Sequence, residues 1–205
     1  VATLPVYLNA LTGRGVHVVD AGVIPTPGLS YLLARKHFFQ GGVMVSASHN
    51  PIVENGLKFF DRRGCKLTDQ DEADIEERFF APSPALFHTR EGELIAEPDY
   101  MQQYARKLAA ESRDWDLGRL HLLVDCANGA AYQVTRLVLG ILRVSNTLVN
   151  ALPNGANINY SAGSETVRRS PAHMAEQLKQ AGKDIGLALD GDGDRMVAVD
   201  RTGMM

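Results

Sequence analysis

The chain is short of cysteine: of its 205 residues only Cys65 and Cys126 are cysteines. They are far apart and neither lies in a Cys-x-x-Cys pair, which argues against a disulfide framework or a thiolate metal site. Two free thiols in a reducing compartment are expected. Long hydrophobic runs are also missing. No stretch approaches the roughly 20 apolar residues that span a bilayer, and no signal peptide opens the chain. Charge of one sign is scarce too, with a formal net charge of -3. Without a basic excess there is no reason to expect nucleic acid or an anionic membrane as partner. No internal repeat or low-complexity segment occurs. These absences leave a soluble, cytoplasmic globular protein as the expectation.

What is present is ordinary in amount and organised in pattern. The hydrophobic fraction is 45% and the charged fraction 22%, as in typical soluble domains. The length is comfortable for two domains. A helix is expected near Pro5–Leu11, a strand over Val16–Asp20, and an extended connection at Ile24-Pro25-Thr26-Pro27. A helix with Leu29, Leu32 and Leu33 on one face follows, then a strand ending at Ser46. Strand, helix, strand with short Gly/Pro connections predicts a parallel α/β sheet. Leu57–Asp61 reads as a further strand, and Asp69–Phe80 as an acidic helix. Pro82, Pro84, Gly92 and Pro98 predict irregular chain at a domain junction over 81–98.

A helix from near Asp99 carries Met101, Tyr104, Ala105 and Leu108 at i, i+3, i+4, i+7 and is expected to bridge two domains. The rhythm then restarts. Strands are predicted at 121–126, 143–149, 185–189 and 196–200, with helices around Val134–Ile141 and over Pro171–Ala181. Gly182 reads as the C-terminal cap of the latter, and 153–165 as an Asn- and Gly-rich loop. The expectation is two consecutive three-layer α/β domains with mixed, mostly parallel sheets, over 1–92 and 99–205. Val1 stands in place of a start methionine, and Met204-Met205 follow a turn with no element after it. The chain reads as a fragment of a longer protein.

Two loops carry the chemistry. In Gly41–Phe60 an apolar run stops at Ser46-Ala47-Ser48-His49-Asn50-Pro51, closed by a proline that cannot continue a strand ladder. Lys58 follows ten residues after Ser48. A hydroxyl, an imidazole and an amine between two strands suit an active-site loop, with a polar turn as the plain alternative. The second loop is Asp190-Gly191-Asp192-Gly193-Asp194-Arg195, directly after a buried strand. Alternate glycines let the backbone turn, so three carboxylates converge. Such charges repel, and need a cation or partial protonation. Oxygen-only ligands favour Mg²⁺. An EF-hand beginning at Asp190 would need glycine sixth and glutamate twelfth; Arg195 and Arg201 stand there. A haloacid-dehalogenase-type phosphatase, with Asp190 as nucleophile, is a surviving alternative, although Asp194 departs from its usual continuation. Both loops follow buried strands, where α/β folds place ligands, and Mg²⁺ beside a serine oxygen suggests phosphoryl chemistry.

Ser46-Ala47-Ser48-His49-Asn50-Pro51 with Asn55-Gly56-Leu57-Lys58, followed by Asp190–Arg195, resembles the two signature loops of the α-D-phosphohexomutase superfamily. Within it, Ser46 and the Asn154–Asn159 stretch with Gly163 are most similar to the bacterial phosphoglucosamine mutase branch. Ser164-Glu165-Thr166-Val167-Arg168 only approximates that branch, and the phosphomannomutase/phosphoglucomutase branch stays an alternative. The resemblance implies an isomerase that moves a phosphoryl group within a hexose phosphate, most simply glucosamine 6-phosphate to glucosamine 1-phosphate. It implies that Ser48 carries the phosphoryl group. Asp190, Asp192 and Asp194, with an oxygen of phosphorylated Ser48, would hold Mg²⁺. His49 and Lys58 would handle the proton, Arg195 would steady the phosphate, and Asn50 would support the loop at the substrate. The resemblance also implies an upstream Gly/Arg motif and two further domains, so this chain alone is expected to turn over little or no substrate. Monomer and dimer both remain open.

Overall fold

The computed structural model describes residues 4–46, 56–81, 91–96, 99–112 and 114–205. The carboxyl-terminal half is built on β5 (His121–Asp125), β6 (Ser145–Val149), β7 (Ile185–Leu189) and β8 (Met196–Asp200). They form one sheet in the order β6-β5-β7-β8, in which β5 pairs in parallel with β6 and β7, and β8 closes the edge antiparallel to β7. β5 is buried on both faces from Leu122 to Asp125, which is why its centre, Leu122-Leu123-Val124, is apolar throughout rather than alternating. Leu123 joins Val167 of α6 (Gly163–Arg169) and Met174 and Leu178 of α7 (Pro171–Ala181) in one core. Leu122 and Val124 point the other way, into a core with Leu139 of α5 (Tyr132–Ile141) and Leu142. Helix, sheet and helix make three layers. α7 ends as its sequence predicts: Gly182 adopts φ 61, and its N–H donates to the carbonyls of Leu178 and Lys179, the left-handed cap glycine allows at little cost.

The amino-terminal half contains α1 (Leu4–Thr12), β1 (Val18–Asp20), α2 (Thr26–Arg35), β2 (Gly41–Ser46), β3 (Gly56–Asp61), α3 (Asp69–Phe80) and β4 (Leu94–Ala96). β2 and β3 pair antiparallel over all six residues, and β1 pairs in parallel with β4. The sequence rhythm predicted β1 and β2 as parallel neighbours; among the described residues no ladder joins them. β4 lies inside the stretch read as irregular. Its three residues were hidden by the prolines and Gly92 around them, and Gly92 is seated against the Val16 backbone, where a Cβ would come within 2.0 Å of the carbonyl oxygen. α6 was likewise hidden, because the Asn/Gly-rich composition extends up to its first residue.

α4 (Tyr100–Glu111) joins the two halves. Its Tyr100, Met101, Tyr104 and Ala105 are buried with Ile24 and Leu32 on one side and Ala131 and Val134 on the other. The rings of Tyr31 and Tyr104 lie 5.5 Å apart, within the range of favourable aromatic pairs. The bridging role predicted from the apolar stripe is thus observed.

At the end of β5 the chain turns through Ala127 and Asn128, both at positive φ (53 and 47). Asp125, 5% exposed, holds this turn. Its Oδ1 accepts from the Ala127 N–H at 2.8 Å and its Oδ2 from the Gly163 N–H at 3.0 Å. Asp125→Ala would leave two buried donors without acceptor, and is expected to destabilise the protein by about 2–4 kcal/mol. Urea denaturation measures this, with a lowered midpoint at unchanged slope.

Candidate active site

The acidic loop sits at the carboxyl end of β7. Asp190 and Asp192 are each 1% exposed, while Asp194 faces outward. One carboxylate oxygen from each of the three lies within 4.8 Å of the others. The loop is folded by its own first residue: Asp190 Oδ1 accepts from the N–H groups of Asp194 and Arg195, both at 3.1 Å. Its position is set by the β5–α5 turn. The Ala130 N–H donates to the Gly191 carbonyl at 2.8 Å, and a Cβ on Gly129 would lie 2.3 Å from that same oxygen. Only glycine at 129 permits this approach.

Two cations and one hydroxyl surround the cluster. Arg195 Nε donates to Asp190 Oδ2 at 3.1 Å and lies 3.7 Å from Asp194 Oδ1. Lys58, from β3 in the other half of the chain, donates its Nζ to Asp192 Oδ2 and lies 3.7 Å from Asp194 Oδ2. Thr26, the first residue of α2, donates its hydroxyl to Asp192 Oδ2 at 3.0 Å. Burial, opposed by the Arg195 N–H but aided by the neighbouring carboxylates, pushes the Asp190 carboxyl up to about 6. Burial would raise Asp192 as well, but the Lys58 ammonium and the Thr26 hydroxyl together hold it below the ordinary carboxylate value. Two carboxylates that are 1% exposed and bonded to Arg195, Lys58 and Thr26 form a built cluster rather than a solvated acidic turn.

The donor set fits a small, hard divalent cation: three carboxylates converge, and one of them is costly to ionise without added positive charge. Beside it, a cavity of about 620 Å³ runs from Thr26, Lys58 and Asp194 along β3 towards Glu72 and Ile75 on α3. The structure therefore brings together Lys58, Asp190, Asp192, Asp194 and Arg195 of the residues selected from the sequence. Ser48, His49 and Asn50 lie outside the described residues. β2 and β3, whose ends at Ser46 and Gly56 pair directly, bracket that segment.

Thr26 lies in a stretch whose sequence predicts an extended connection, and no role in the site is expected of it from sequence. The available signal was a threonine between two prolines ahead of an apolar helical stripe, a composition suited to a helix start. Asp125 was missed because a buried cap cannot be told from a strand-end aspartate until its donors are in place. The expected free thiols are found, with Cys65 exposed and Cys126 buried. Among the described residues, no helix is long and apolar enough to cross a membrane.

Comparison with known proteins identifies the family and the fold. A phosphoglucosamine mutase of Desulforudis audaxviator (strain MP104C) is 43% identical over 197 residues, covering 93% of this chain and 42% of the relative. The chain thus spans less than half the length of that relative. The solved structure of a phosphoglucomutase/phosphomannomutase family protein from Burkholderia thailandensis superposes with TM-score 0.72 at 25% identity, over 98% of this chain and 44% of the other. An Aspergillus fumigatus N-acetylphosphoglucosamine mutase, solved in complex with GlcNAc-6P and magnesium, shares the fold with TM-score 0.57 at 22% identity, over 87% of this chain and 47% of the other. Residues 5–85 match the phosphoglucomutase/phosphomannomutase alpha/beta/alpha domain I, and residues 98–203 match alpha/beta/alpha domain II. The chain belongs to the phosphoglucomutase/phosphomannomutase family.

Proposed function

We propose that this chain carries the phosphoryl-donor and cation-binding portion of a hexose-phosphate mutase, and that the longer protein interconverts glucosamine 6-phosphate and glucosamine 1-phosphate. The observation that carries the reading is the meeting of Lys58 from one half with Asp192 and Asp194 from the other, beside a cavity open to a ligand. Neither half alone assembles that constellation. The glucosamine substrate is favoured by the phosphoglucosamine mutase relatives at 40% identity or more.

In this reading the Ser48 oxygen bears a phosphoryl group. A hydroxyl of the bound sugar phosphate attacks that phosphorus, its proton is taken up by Lys58 or His49, and the bond to Ser48 Oγ breaks. The resulting bisphosphorylated sugar turns over and returns its other phosphoryl group to Ser48, with the proton handed back to the departing sugar oxygen. Asp190, Asp192 and Asp194 would hold Mg²⁺ together with a phosphoserine oxygen, and the bound ion supplies charge neutralisation for the phosphoryl group. Lys58 and Arg195 add positive charge on the two sides of the cluster. Asn50 would hold the serine loop against the sugar. We assign the protein to the cytoplasm, in keeping with its two free cysteines. Domain limits at about 92 and 99 fit a chain whose α4 packs against both halves.

The test is an assay of the full-length protein on glucosamine, mannose and glucose phosphates side by side, with intact-mass analysis. One phosphoryl group is expected on the parent and none on Ser48→Ala, which should lose turnover. An aspartyl-phosphate phosphatase would show the reverse: Asp190→Asn would abolish a trapped acyl phosphate and Ser48→Ala would be harmless. Full activity of Ser48→Ala sinks the mutase reading.

A further inference from the structure

Thr26 is joined to Asp192 twice. Its hydroxyl donates to Asp192 Oδ2 at 3.0 Å, and its own N–H donates to the Asp192 carbonyl at 2.9 Å. The second bond has a local cause. Thr26 opens α2, whose first N–H groups have no carbonyl within the helix to donate to, and Pro25 at the cap contributes no side-chain hydrogen bond. The Asp192 carbonyl meets that need. The pair is enclosed, with Thr26 8% and Asp192 1% exposed. Neighbouring contacts leave little play: a Cβ on Gly193 would lie 3.0 Å from Pro25 Cβ and 2.9 Å from Ala131 Cβ. Ile24, two residues before Thr26, is anchored in the core shared with Tyr104 and Val134.

We infer that Thr26 is a positioning residue for the cation site: through Asp192 it lets the amino-terminal half set the geometry of three aspartates that all come from the carboxyl-terminal half. The hydroxyl fixes the plane of the Asp192 carboxylate, and the N–H fixes the backbone that carries it. The two bonds together remove the loop's freedom to rotate Asp192 away from Asp190 and Asp194. The inference rests on reading those three aspartates as a cation site. Partners that orient ligands in this way commonly govern metal affinity by about 10- to 100-fold.

The experiment titrates Mg²⁺ alone into the metal-free parent, Thr26→Val and Thr26→Ser by calorimetry. Valine keeps the shape and the backbone N–H but removes the hydroxyl; serine restores it. Thr26→Val is expected to bind Mg²⁺ about 10- to 100-fold more weakly, and Thr26→Ser close to the parent. Urea unfolding of all three checks that the fold is retained, with equal slopes expected. Parent-like affinity in Thr26→Val overturns the inference, and so does a serine variant as weak as valine, which would mark a packing effect. A parent that binds no Mg²⁺ overturns the cation-site reading itself, and the role of Thr26 with it.

Discussion

Lys58→Met in the full-length protein is expected to lose about 10²- to 10⁴-fold in kcat, the usual worth of a positioned proton-transfer group. The same substitution is expected to strengthen Mg²⁺ binding. The opposition of signs follows from the geometry. Lys58 Nζ is bonded to Asp192 Oδ2 and lies 3.7 Å from Asp194 Oδ2, so its positive charge competes with any cation for the same carboxylates. At an effective dielectric near 20, a unit charge at about 4 Å is worth ~4 kcal/mol. Even a fraction of that exceeds the 1.36 kcal/mol of a tenfold change in affinity. In the metal-free protein the variant strands a buried carboxylate, and a stability loss of about 3–5 kcal/mol is expected. Steady-state kinetics, calorimetric Mg²⁺ titration and urea unfolding read the three effects separately. Unchanged kcat would remove Lys58 from proton transfer; unchanged Mg²⁺ affinity would show that its charge does not reach the cation.

Asp190→Asn is the second large effect, and it separates the cation-bound from the cation-free protein. Asparagine keeps an oxygen to accept from the Asp194 and Arg195 N–H groups, so the loop's backbone bonds are retained, but the acceptor of Arg195 Nε and one of three anionic ligands are gone. Mg²⁺ affinity should fall by more than the roughly 10- to 100-fold seen when a ligand's supporting partner is removed. In the parent, Mg²⁺ at about 100 times its Kd adds ~2.7 kcal/mol, or a rise of roughly 5–10 °C in Tm for a chain of this size. Asp190→Asn should show little of that rise at the same concentration.

The metal-free parent carries a pH signature as well. The folded Asp190 carboxyl titrates at about 6 against an ordinary value of 3.8, so the folded state binds its proton more tightly than the unfolded state does. Stability from this group is therefore full below 3.8 and is lost as pH rises towards 6, by ~3 kcal/mol at most. Asp192, held below its ordinary value, acts in the opposite sense and below 3.8, outside that window. Urea midpoints measured between pH 4 and 7 should decline in the parent and stay flatter in Asp190→Asn. A parent profile that rises across that window would contradict the placement of Asp190 in a buried cluster of like charge.

Much of this molecule is legible from residue patterns because its signals are local. The apolar stretches Leu122–Val124 and Ile185–Leu189 predict strands, and both are strands of the three-layer half. Gly182 ends α7 as its position suggests. The Asp-Gly-Asp-Gly-Asp spacing alone implies converging carboxylates, and they converge. Signals failed where composition masked a short element, as at β4 between prolines, or where pairing rather than element type was at issue. The βαβ rhythm of the first half predicts a strand at 41–46 but not that its ladder runs to β3 and leaves β1 to β4.

By itself, then, the sequence determined the family, the acidic loop and most of the elements around it, because each signal depends on residues within a few positions of one another. Only the tertiary structure decided that Thr26 and Lys58, 166 and 134 residues away, converge on one oxygen of Asp192. That convergence depends on how α2, with the paired β2 and β3 beside it, packs through α4 against α5 of the other half, a matter of packing between distant apolar faces that no local spacing encodes.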